Sequence, residues 1–397
     1  MPQDSHMWHV PNRMLFGPGT ASEVGEYVGR FDAEHAFVVT DDGVREAGAL
    51  DGMLDSITTA GHEYTVYDDV SPDPTDGLVA DIATTYAAAG ADLLIGAGGG
   101  SSIDATKGAS ILATNGGDIE AYFGSGHVEQ PTPPTIYVPT TAGTGSEVGN
   151  WCIITDTTTD RKMEVGDIEL LADLAVVDPD LIKSVPRDIA AATGMDVLAH
   201  AVEAYVSIRA QPHTSALALD AVERVGTYLP RVAEYRGDDA TARSAMAQAS
   251  TQAGMAFNGA GLGAVHALSH QIGGLAGVPH GLANAILLPY VIEYNRAQAA
   301  ERFVDIAAAL GEPVERTVRP RHEAYKAARA VRQLASTVRI PRTLEPTAID
   351  RDRIPTIAER ALDDGSITGN PRRTTADDLE SILEKAFDGT FDYEKVL

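Results

Sequence analysis

The loss of strand patterns after Pro186 limits the possible folds of this chain more than any other feature. Before that point, short β-branched runs bounded by Gly, Asp or Pro alternate with Ala-rich helical stretches. The predicted strands are residues 35–40, 64–67, 92–95, 135–138, 151–155 and 174–177. The stretches 78–89 and 102–113 are long enough for the crossover helices that parallel strands require. The first half therefore predicts a doubly wound, mostly parallel, Rossmann-like α/β sheet.

The second half of the chain predicts only helices. Helical periodicity covers residues 189–206, 215–228 and 241–255 and continues to the C-terminus. A chain of 397 residues also exceeds what one hydrophobic core usually serves. We therefore expect an α/β domain at residues 1–186 and an all-α domain at residues 187–397.

The charge balance narrows the possible partners and the source. Asp and Glu number 57 against 30 Lys and Arg, a formal charge of −27, which repels nucleic acid and anionic lipid. The sequence contains no apolar run near the roughly 20 residues that a membrane span needs. Only six basic residues are lysines, at 107, 162, 183, 326, 385 and 395. This acidic, lysine-poor composition suits a halophilic protein, because salt screens the self-repulsion.

Cysteine usage and the N-terminal residues predict a cytoplasmic location. The single cysteine, Cys152, cannot form an internal disulfide. The first residues also lack the charged segment, apolar stretch and cleavage site of a secretory leader.

A glycine-rich loop follows the predicted strand at 92–95. The segment Asp92-Leu-Leu-Ile-Gly-Ala-Gly-Gly-Gly-Ser-Ser-Ile-Asp-Ala-Thr-Lys107 combines a strand, a glycine turn and a helix start. Glycines allow a pyrophosphate to approach the backbone, and the free N–H groups of the helix start attract its charge. The alternative is a tight strand-to-helix turn that binds nothing.

A second polar loop, Pro139-Thr-Thr-Ala-Gly-Thr-Gly-Ser-Glu147, follows the next strand of the predicted sheet. Both loops should lie at the carboxyl edge of one sheet, where α/β proteins bind ligands, so together they favour a dinucleotide. Asp41 ends an earlier strand, and its carboxylate can accept hydrogen bonds from ribose hydroxyls, which favours NAD over NADP. The alternative is that Asp41 caps a helix or turn. Lys107 and Lys162, in or near these loops, suggest anion or ribose contacts.

The helical half contains two pairs of metal-ligand residue types at helical spacing. Asp196 with His200, and His266 with His270, are separated by four residues and so share a helix face. His280 follows a helix-breaking segment of Gly and Pro and can complete a site. One carboxylate with imidazoles suits Fe²⁺ or Zn²⁺, although any single histidine is more often structural. Spacing alone does not separate His266 from His270. The absence of G-x-S-x-G and Walker sequences gives little support to hydrolysis or phosphoryl transfer.

Four segments together resemble the iron-containing (group III) alcohol dehydrogenase family. They are Gly98-Gly-Gly-Ser-Ser-Ile-Asp104, the loop 139–147, Ala192-Thr-Gly-Met-Asp-Val-Leu-Ala-His200, and Gly263-Ala-Val-His-Ala-Leu-Ser-His270 through Val278-Pro-His-Gly281. The resemblance extends from about Phe16 to Asn370-Pro-Arg372 and Thr375-Ala-Asp-Asp378. Asp73 and Gln271 differ from the residues usual in the family, and the position of Trp151 varies among its members.

The resemblance implies a dehydroquinate synthase-like architecture, with a metal held between an NAD(P)-binding domain and a helical domain. The implied metal ligands are Asp196, His200, His266 and His280, with Fe²⁺ favoured and Zn²⁺ the alternative. His270 is implied to be a non-ligating, catalytic histidine near the substrate. The implied NAD contacts are Asp41, Gly98, Gly99, Ser101, Ser102, Asp104, Thr140, Thr141, Thr144, Ser146, Lys162 and Leu181. A homodimer is the implied assembly.

The implied activity is reversible, metal-assisted hydride transfer between a small alcohol or diol and its aldehyde or ketone. A hydroxyacid dehydrogenase of the same family is one alternative. A lyase resembling 3-dehydroquinate synthase is an alternative from another class. Its phosphorylated substrate needs clustered Lys and Arg, whereas residues 196–281 contain no Lys and few Arg.

Overall fold

A computed structural model describes residues 7–159, 161–235, 238–315 and 317–391. The chain divides into two compact units, residues 1–185 and 186–397.

The first unit is built on a six-stranded sheet in which every neighbouring pair is parallel. The order across the sheet is β1-β9-β6-β4-β2-β3. Its strands are β1 (Met14–Phe16), β2 (His35–Val39), β3 (Glu63–Tyr67), β4 (Leu93–Gly98), β6 (Thr135–Pro139) and β9 (Leu174–Val177). The parallel α/β fold predicted from the sequence is confirmed.

Apolar residues cover both faces of this sheet, as a doubly wound fold requires. Ala36 and Val38 of β2 belong to one buried cluster, which includes Val24 and Ile57 from helices. Phe37 and Val39 belong to a second cluster on the other face. The helices of this unit are α1 (Val24–Arg30), α2 (Asp42–Glu46), α3 (Asp51–Thr59), α4 (Asp76–Ala89) and α5 (Gly100–Asn115).

A small second sheet contains the predicted strand at 151–155. It has the order β5-β8-β7, from β5 (Gly124–Ser125), β7 (Trp151–Asp156) and β8 (Arg161–Gly166). β7 pairs antiparallel with β8, so this strand lies outside the parallel sheet. One edge of the main sheet is formed by β1, a strand of three residues that is too short for a clear sequence pattern.

All regular secondary structure in the described residues of the second unit is helical. Its helices are α6 (Arg187–Val206), α7 (Pro212–Tyr235), α8 (Ala240–Ala260), α9 (Ala264–Ala276), α10 (His280–Asn295), α11 (Ala300–Ala309), α12 (Pro320–Glu323), α13 (Tyr325–Thr337), α14 (Ile354–Leu362) and α15 (Ala376–Asp388). The central helix α6 packs against α7, α8 and α10 and is buried along most of its length. Among the described residues, no helix has the length and hydropathy needed to cross a membrane.

Candidate metal centre and cofactor loops

Four side chains from three helices of the second unit converge on one point. Asp196 and His200 come from α6, His266 from α9 and His280 from the first position of α10. One ligand atom from each lies within 4.8 Å of the others. Nε2 of His266, His280 and His200 lies 3.7, 3.8 and 4.0 Å from Oδ1 of Asp196, respectively. The four residues that the family resemblance implies as metal ligands are therefore brought together.

Glycine at position 281 allows His280 to reach this cluster. A Cβ atom at Gly281 would lie 2.8 Å from the backbone oxygen of Ala192 on α6. The preceding helix α9 ends at Gly277, whose φ of 63° favours glycine, and Pro279 caps α10. This close approach sets His280 beside Asp196. Its side chain is 29% exposed, whereas Asp196 is 3% exposed, so the cluster is most accessible at His280.

The electrostatics of the cluster favour positive charge next to Asp196. Burial favours the neutral acid, but His200, His280 and His266 outweigh it and hold the pKa of Asp196 well below its usual range. Burial likewise opposes a charged His266, yet Asp196 and Glu203 raise its pKa to about 9. A divalent cation would supply the positive charge that these histidines otherwise supply as bound protons. The donor set and its electrostatics therefore fit a metal ion.

Glu203 is a buried member of this region that the sequence analysis did not identify. Its Oε2 accepts a hydrogen bond from Nδ1 of His266 at 2.6 Å. Its Oε1 accepts from the backbone N–H of Val265 at 2.7 Å. The sequence signal was the spacing of Asp196, His200 and Glu203, which places all three on one face of α6.

Asn284 was also missed, although it lies one helical turn after His280. Its Nδ2 donates to Oδ1 of Asp196 at 2.6 Å and lies 3.1 and 3.0 Å from Nε2 of His266 and His280. The residue is completely buried. Asn284 therefore holds Asp196 and two histidines in a single arrangement.

His270 lies one turn after His266 but makes a different contact. Its Nδ1 donates to Oδ2 of Asp364 at 2.9 Å, and Gln271 donates to the same oxygen at 3.2 Å. Although burial favours protonation of Asp364, His270 and Ser366 hold its pKa below the usual value. The ring of His270 stacks on that of His280 with centroids 5.4 Å apart. His270 therefore lies beside the cluster, in an orientation set by Asp364.

In the first unit, the two predicted cofactor loops leave adjacent strands. β4 and β6 pair in parallel up to Gly98 and Pro139, and Thr140 N–H then donates to Gly98 O at 2.9 Å. A Cβ at Gly98 would lie 2.4 Å from Ser102 Oγ, and a Cβ at Gly100 2.6 Å from Thr144 Cγ2. The glycines thus allow the loops to touch at the start of α5. This arrangement provides the close backbone approach and helix N-terminus that a pyrophosphate requires.

The other predicted cofactor residues surround this edge of the first unit. Ser101 and Ser102 lie in the first turn of α5, and Thr141 and Ser146 lie in the second loop. Leu181 lies in a 3₁₀ turn, Leu181–Ser184, and packs against one face of the sheet core.

Asp41 caps a helix and also faces the glycine-rich loop. Its Oδ1 accepts from Val44 N–H at 2.9 Å and so caps α2. Its Oδ2 accepts from Ser102 Oγ at 3.4 Å, and a Cβ at Gly98 would lie 3.3 Å from it. The helix-cap alternative is therefore present, and the second oxygen still faces the glycine loop.

Lys107 makes protein contacts in place of the suggested anion or ribose contacts. Its buried Nζ donates to the carbonyl oxygens of Ser146, Gly149 and Trp151 at 2.7, 2.8 and 2.8 Å. Burial lowers the pKa of this lysine. Lys107 thereby fastens the second loop to α5.

Asp104 and Lys162 also have protein partners. Asp104 Oδ2 accepts from Ile153 N–H at 3.1 Å, and burial, partly offset by Lys107, raises the pKa of Asp104 to about 6. Lys162 Nζ lies 2.5 Å from Oδ1 of Asp73. Asp73 itself has a φ of 54°, in the left-handed region.

Comparison with known proteins assigns both halves of the chain to one family. Residues 11–179 match the family described as iron-containing alcohol dehydrogenase, and residues 190–387 match the C-terminal domain of the Fe-containing alcohol dehydrogenase family.

Individual relatives align with nearly the whole chain. The 1,3-propanediol dehydrogenase of Klebsiella pneumoniae is 40% identical over 95% of this chain and 98% of its own length. The NAD-dependent methanol dehydrogenase of Bacillus methanolicus is 36% identical over 95% and 98%. A crystal structure of a 1,3-propanediol oxidoreductase superposes with a TM-score of 0.94 at 40% identity, covering 97% of this chain and all of that one.

Proposed function

We propose an activity for this chain, which belongs to the iron-containing alcohol dehydrogenase family. The protein uses NAD and a divalent metal to interconvert small alcohols or diols with their aldehydes or ketones. As a member of that family it is an oxidoreductase acting on CH–OH groups. The proposal rests chiefly on the convergence of Asp196, His200, His266 and His280 within 4.8 Å. The family match also selects the dehydrogenase over the 3-dehydroquinate synthase-like lyase.

The metal ligands are proposed to be Asp196, His200, His266 and His280, with Fe²⁺ favoured over Zn²⁺ by the family's description. When bound, the metal supplies a Lewis acid for the substrate oxygen and NAD supplies the hydride acceptor. Asp196 contributes the negative charge of the donor set, and Asn284 holds its carboxylate in place. The more exposed His280 marks the accessible side of the cluster.

NAD is proposed to bind at the edge formed by the two glycine-containing loops. The contacts among Gly98, Gly100, Ser102 and Thr144 leave backbone amides close to the start of α5, where a pyrophosphate is favoured. The Oδ2 atom of Asp41 faces this loop and would repel an added 2′-phosphate, which favours NAD over NADP. The Bacillus methanolicus relative is an NAD-dependent methanol dehydrogenase, which supports this choice.

The proposed catalytic residue is His270, acting as a proton carrier for the alcohol. Asp364 accepts a hydrogen bond from Nδ1–H of His270 and so fixes the ring. This leaves Nε2 as the atom that takes up a proton when the alcohol is oxidised and returns it in the reverse direction.

A homodimer that forms through β1 is a further part of the proposal. β1 is one of the two edge strands of the main sheet, and its side chains Met14 and Phe16 are 45% and 38% exposed. An exposed apolar edge strand favours pairing with a second strand. Met14→Asp should then shift the protein from dimer to monomer in light scattering, whereas an unchanged mass would exclude this edge as the interface.

The environment proposed for this enzyme is a salt-rich cytoplasm. The formal charge of −27 favours high salt, because screening reduces repulsion among the surface carboxylates. The single cysteine, Cys152, is buried, and burial raises its pKa, which makes the thiol unreactive. Both features fit a reducing, saline interior.

The test is NADH formation or consumption with small alcohols, diols, hydroxyacids and their carbonyl forms. Chelated protein would be compared with protein reloaded with Fe²⁺ or Zn²⁺, in molar salt. Metal-dependent turnover on the alcohol or diol group is the expected result. Turnover restricted to hydroxyacids would select the alternative within the family, and absence of turnover with either metal would contradict the proposal.

A further inference from the structure

We infer that Glu203 is a positioning residue for the metal centre, because its carboxylate joins the imidazole of His266 to the start of the helix that carries it. The inference rests on the proposed function, since it assigns a role toward the metal proposed above. Glu203 is hydrogen-bonded to Nδ1 of His266, whereas the nitrogen of this ring that faces Asp196 is Nε2. It acts through the opposite side of the His266 ring.

The burial of Glu203 requires an explanation, because a carboxylate removed from water is costly unless it is fully hydrogen-bonded. Its side chain is 4% exposed. Both oxygens are used: Oε2 accepts from His266 Nδ1 at 2.6 Å, and Oε1 accepts from Val265 N–H at 2.7 Å. Two strong donors therefore compensate the buried charge.

The Val265 contact replaces a cap that α9 does not have locally. The residue before this helix is Gly263, which offers no side chain to accept from the first N–H groups. A Cβ at Gly263 would lie 2.9 Å from Glu203 Oε1, so glycine also makes room for the carboxylate. A negative charge at a helix N-terminus is further stabilised by the helix dipole. Glu203 thus ties α9 to α6, the helix that carries Asp196 and His200.

The His266 contact determines which ring nitrogen faces the cluster. Because Nδ1 keeps its proton and donates it in the hydrogen bond to Glu203, Nε2 is the nitrogen that can release a proton and offer its lone pair to a metal ion. Nε2 is the atom that lies 3.7 Å from Asp196 Oδ1. The same carboxylate therefore fixes the position of the ring, through α9, and its orientation, through Nδ1.

Glu203→Gln separates this role from simple space filling. Glutamine has nearly the same shape but only one oxygen acceptor, whereas His266 and Val265 present two donors. If the amide oxygen faces Val265, the NH₂ group faces Nδ1 and favours the tautomer with its proton on Nε2. If the oxygen faces His266, the NH₂ group opposes the Val265 N–H. In either orientation the arrangement of α9 and His266 is disturbed.

The experiment measures binding of Co²⁺, as a spectroscopic substitute for Fe²⁺, to the chelated full-length protein. Kd is obtained by competition with a chromophoric chelator, and the visible absorption of bound Co²⁺ reports the ligand geometry. E203Q should bind Co²⁺ about 10- to 100-fold more weakly, with an altered spectrum. The matched control is Glu312→Gln, which makes the same chemical change in a carboxylate that pairs with Arg329. It should bind like the parent.

The outcomes distinguish this inference from the proposed function. If the parent protein binds Co²⁺ and E203Q binds it equally with the same spectrum, Glu203 is only a structural cap and the inference is wrong, even if the chelated variant melts at a lower temperature. If the parent binds no Co²⁺, both the metal-dependent function and this inference fail.

A second measurement requires no variant and covers the case in which E203Q does not fold. With ¹⁵N-labelled histidine, the strongly hydrogen-bonded Nδ1 proton of His266 should give a low-field proton resonance that persists when Zn²⁺ is added. Loss of the Nδ1 proton upon Zn²⁺ binding would overturn the inference, because Nδ1 would then be the ligating atom.

Discussion

Replacement of Lys107 by methionine should destabilise the first unit and loosen one cofactor loop. Lys107 Nζ donates to three buried carbonyl groups, those of Ser146, Gly149 and Trp151, at 2.7–2.8 Å. Methionine fills much of the same volume but donates no hydrogen bond, so these carbonyls lose their ammonium partner. Asp104 also loses the cation that partly offsets its burial.

The size of the effect follows from these contacts. Each buried carbonyl left without a donor costs about 1–3 kcal/mol. Removal of a buried ammonium recovers part of that sum, so we expect a net loss of about 3–5 kcal/mol, as when one partner of a buried ionic contact is removed. For a unit of this size, such a loss lowers Tm by about 6–20 °C.

The two tryptophans, Trp8 and Trp151, both belong to the first unit, so their fluorescence reports its unfolding. Lys107→Met should lower the Tm measured in this way. It should also raise the Kd for NAD about tenfold or more, because the residues of the freed loop must be ordered again on binding. Lys183→Met is the matched control: Lys183 is exposed, and its replacement should change stability by less than about 0.5 kcal/mol. If Lys107→Met lowered the Tm by less than about 3 °C, the reasoning would be refuted.

Asp104→Asn removes a carboxyl group whose pKa is raised to about 6 by burial. Such a raised pKa stabilises the folded state at pH values below the unfolded pKa of about 3.9, and this contribution is lost as the pH rises through 6. The stability of D104N relative to the parent should therefore rise by about 2 kcal/mol between pH 4 and 7 in urea unfolding, and a constant difference would contradict the assignment. His270→Ala should slow turnover but leave the metal content unchanged in mass spectrometry; loss of metal would make His270 a ligand. Tm should rise from about 0.1 M to 3 M KCl because salt screens the charge of −27, and a flat profile would exclude halophilic adaptation.

Local patterns were sufficient to predict the architecture. Strand periodicity and bounding glycines predicted the parallel strands to within a few residues of their observed ends, since these signals depend on neighbouring residues. The prediction was incomplete where the signal was not local. The strand beginning at Trp151 has ordinary strand character, and only its antiparallel partner β8 shows that it belongs to the smaller sheet. The edge strand β1 has three residues and gains its identity from pairing with β9.

The candidate site shows the same division between local and distant information. Helical spacing by itself predicted that Asp196 and His200 share a face, and that His266 and His270 do, because four residues make about one turn. Spacing could not decide that His266 faces Asp196 while His270 Nδ1 meets Asp364, 94 residues further along the chain.

Residue chemistry in the sequence thus determined the fold class, the glycine loops and the types of ligand available. Only the tertiary structure determined which partner each buried polar group has: Glu203 for His266, Asn284 for Asp196, and three backbone carbonyls for Lys107. The physical reason is that a buried charge or imidazole must be satisfied by the groups that packing brings to it. Those groups come from other helices and loops, at separations that no local periodicity encodes.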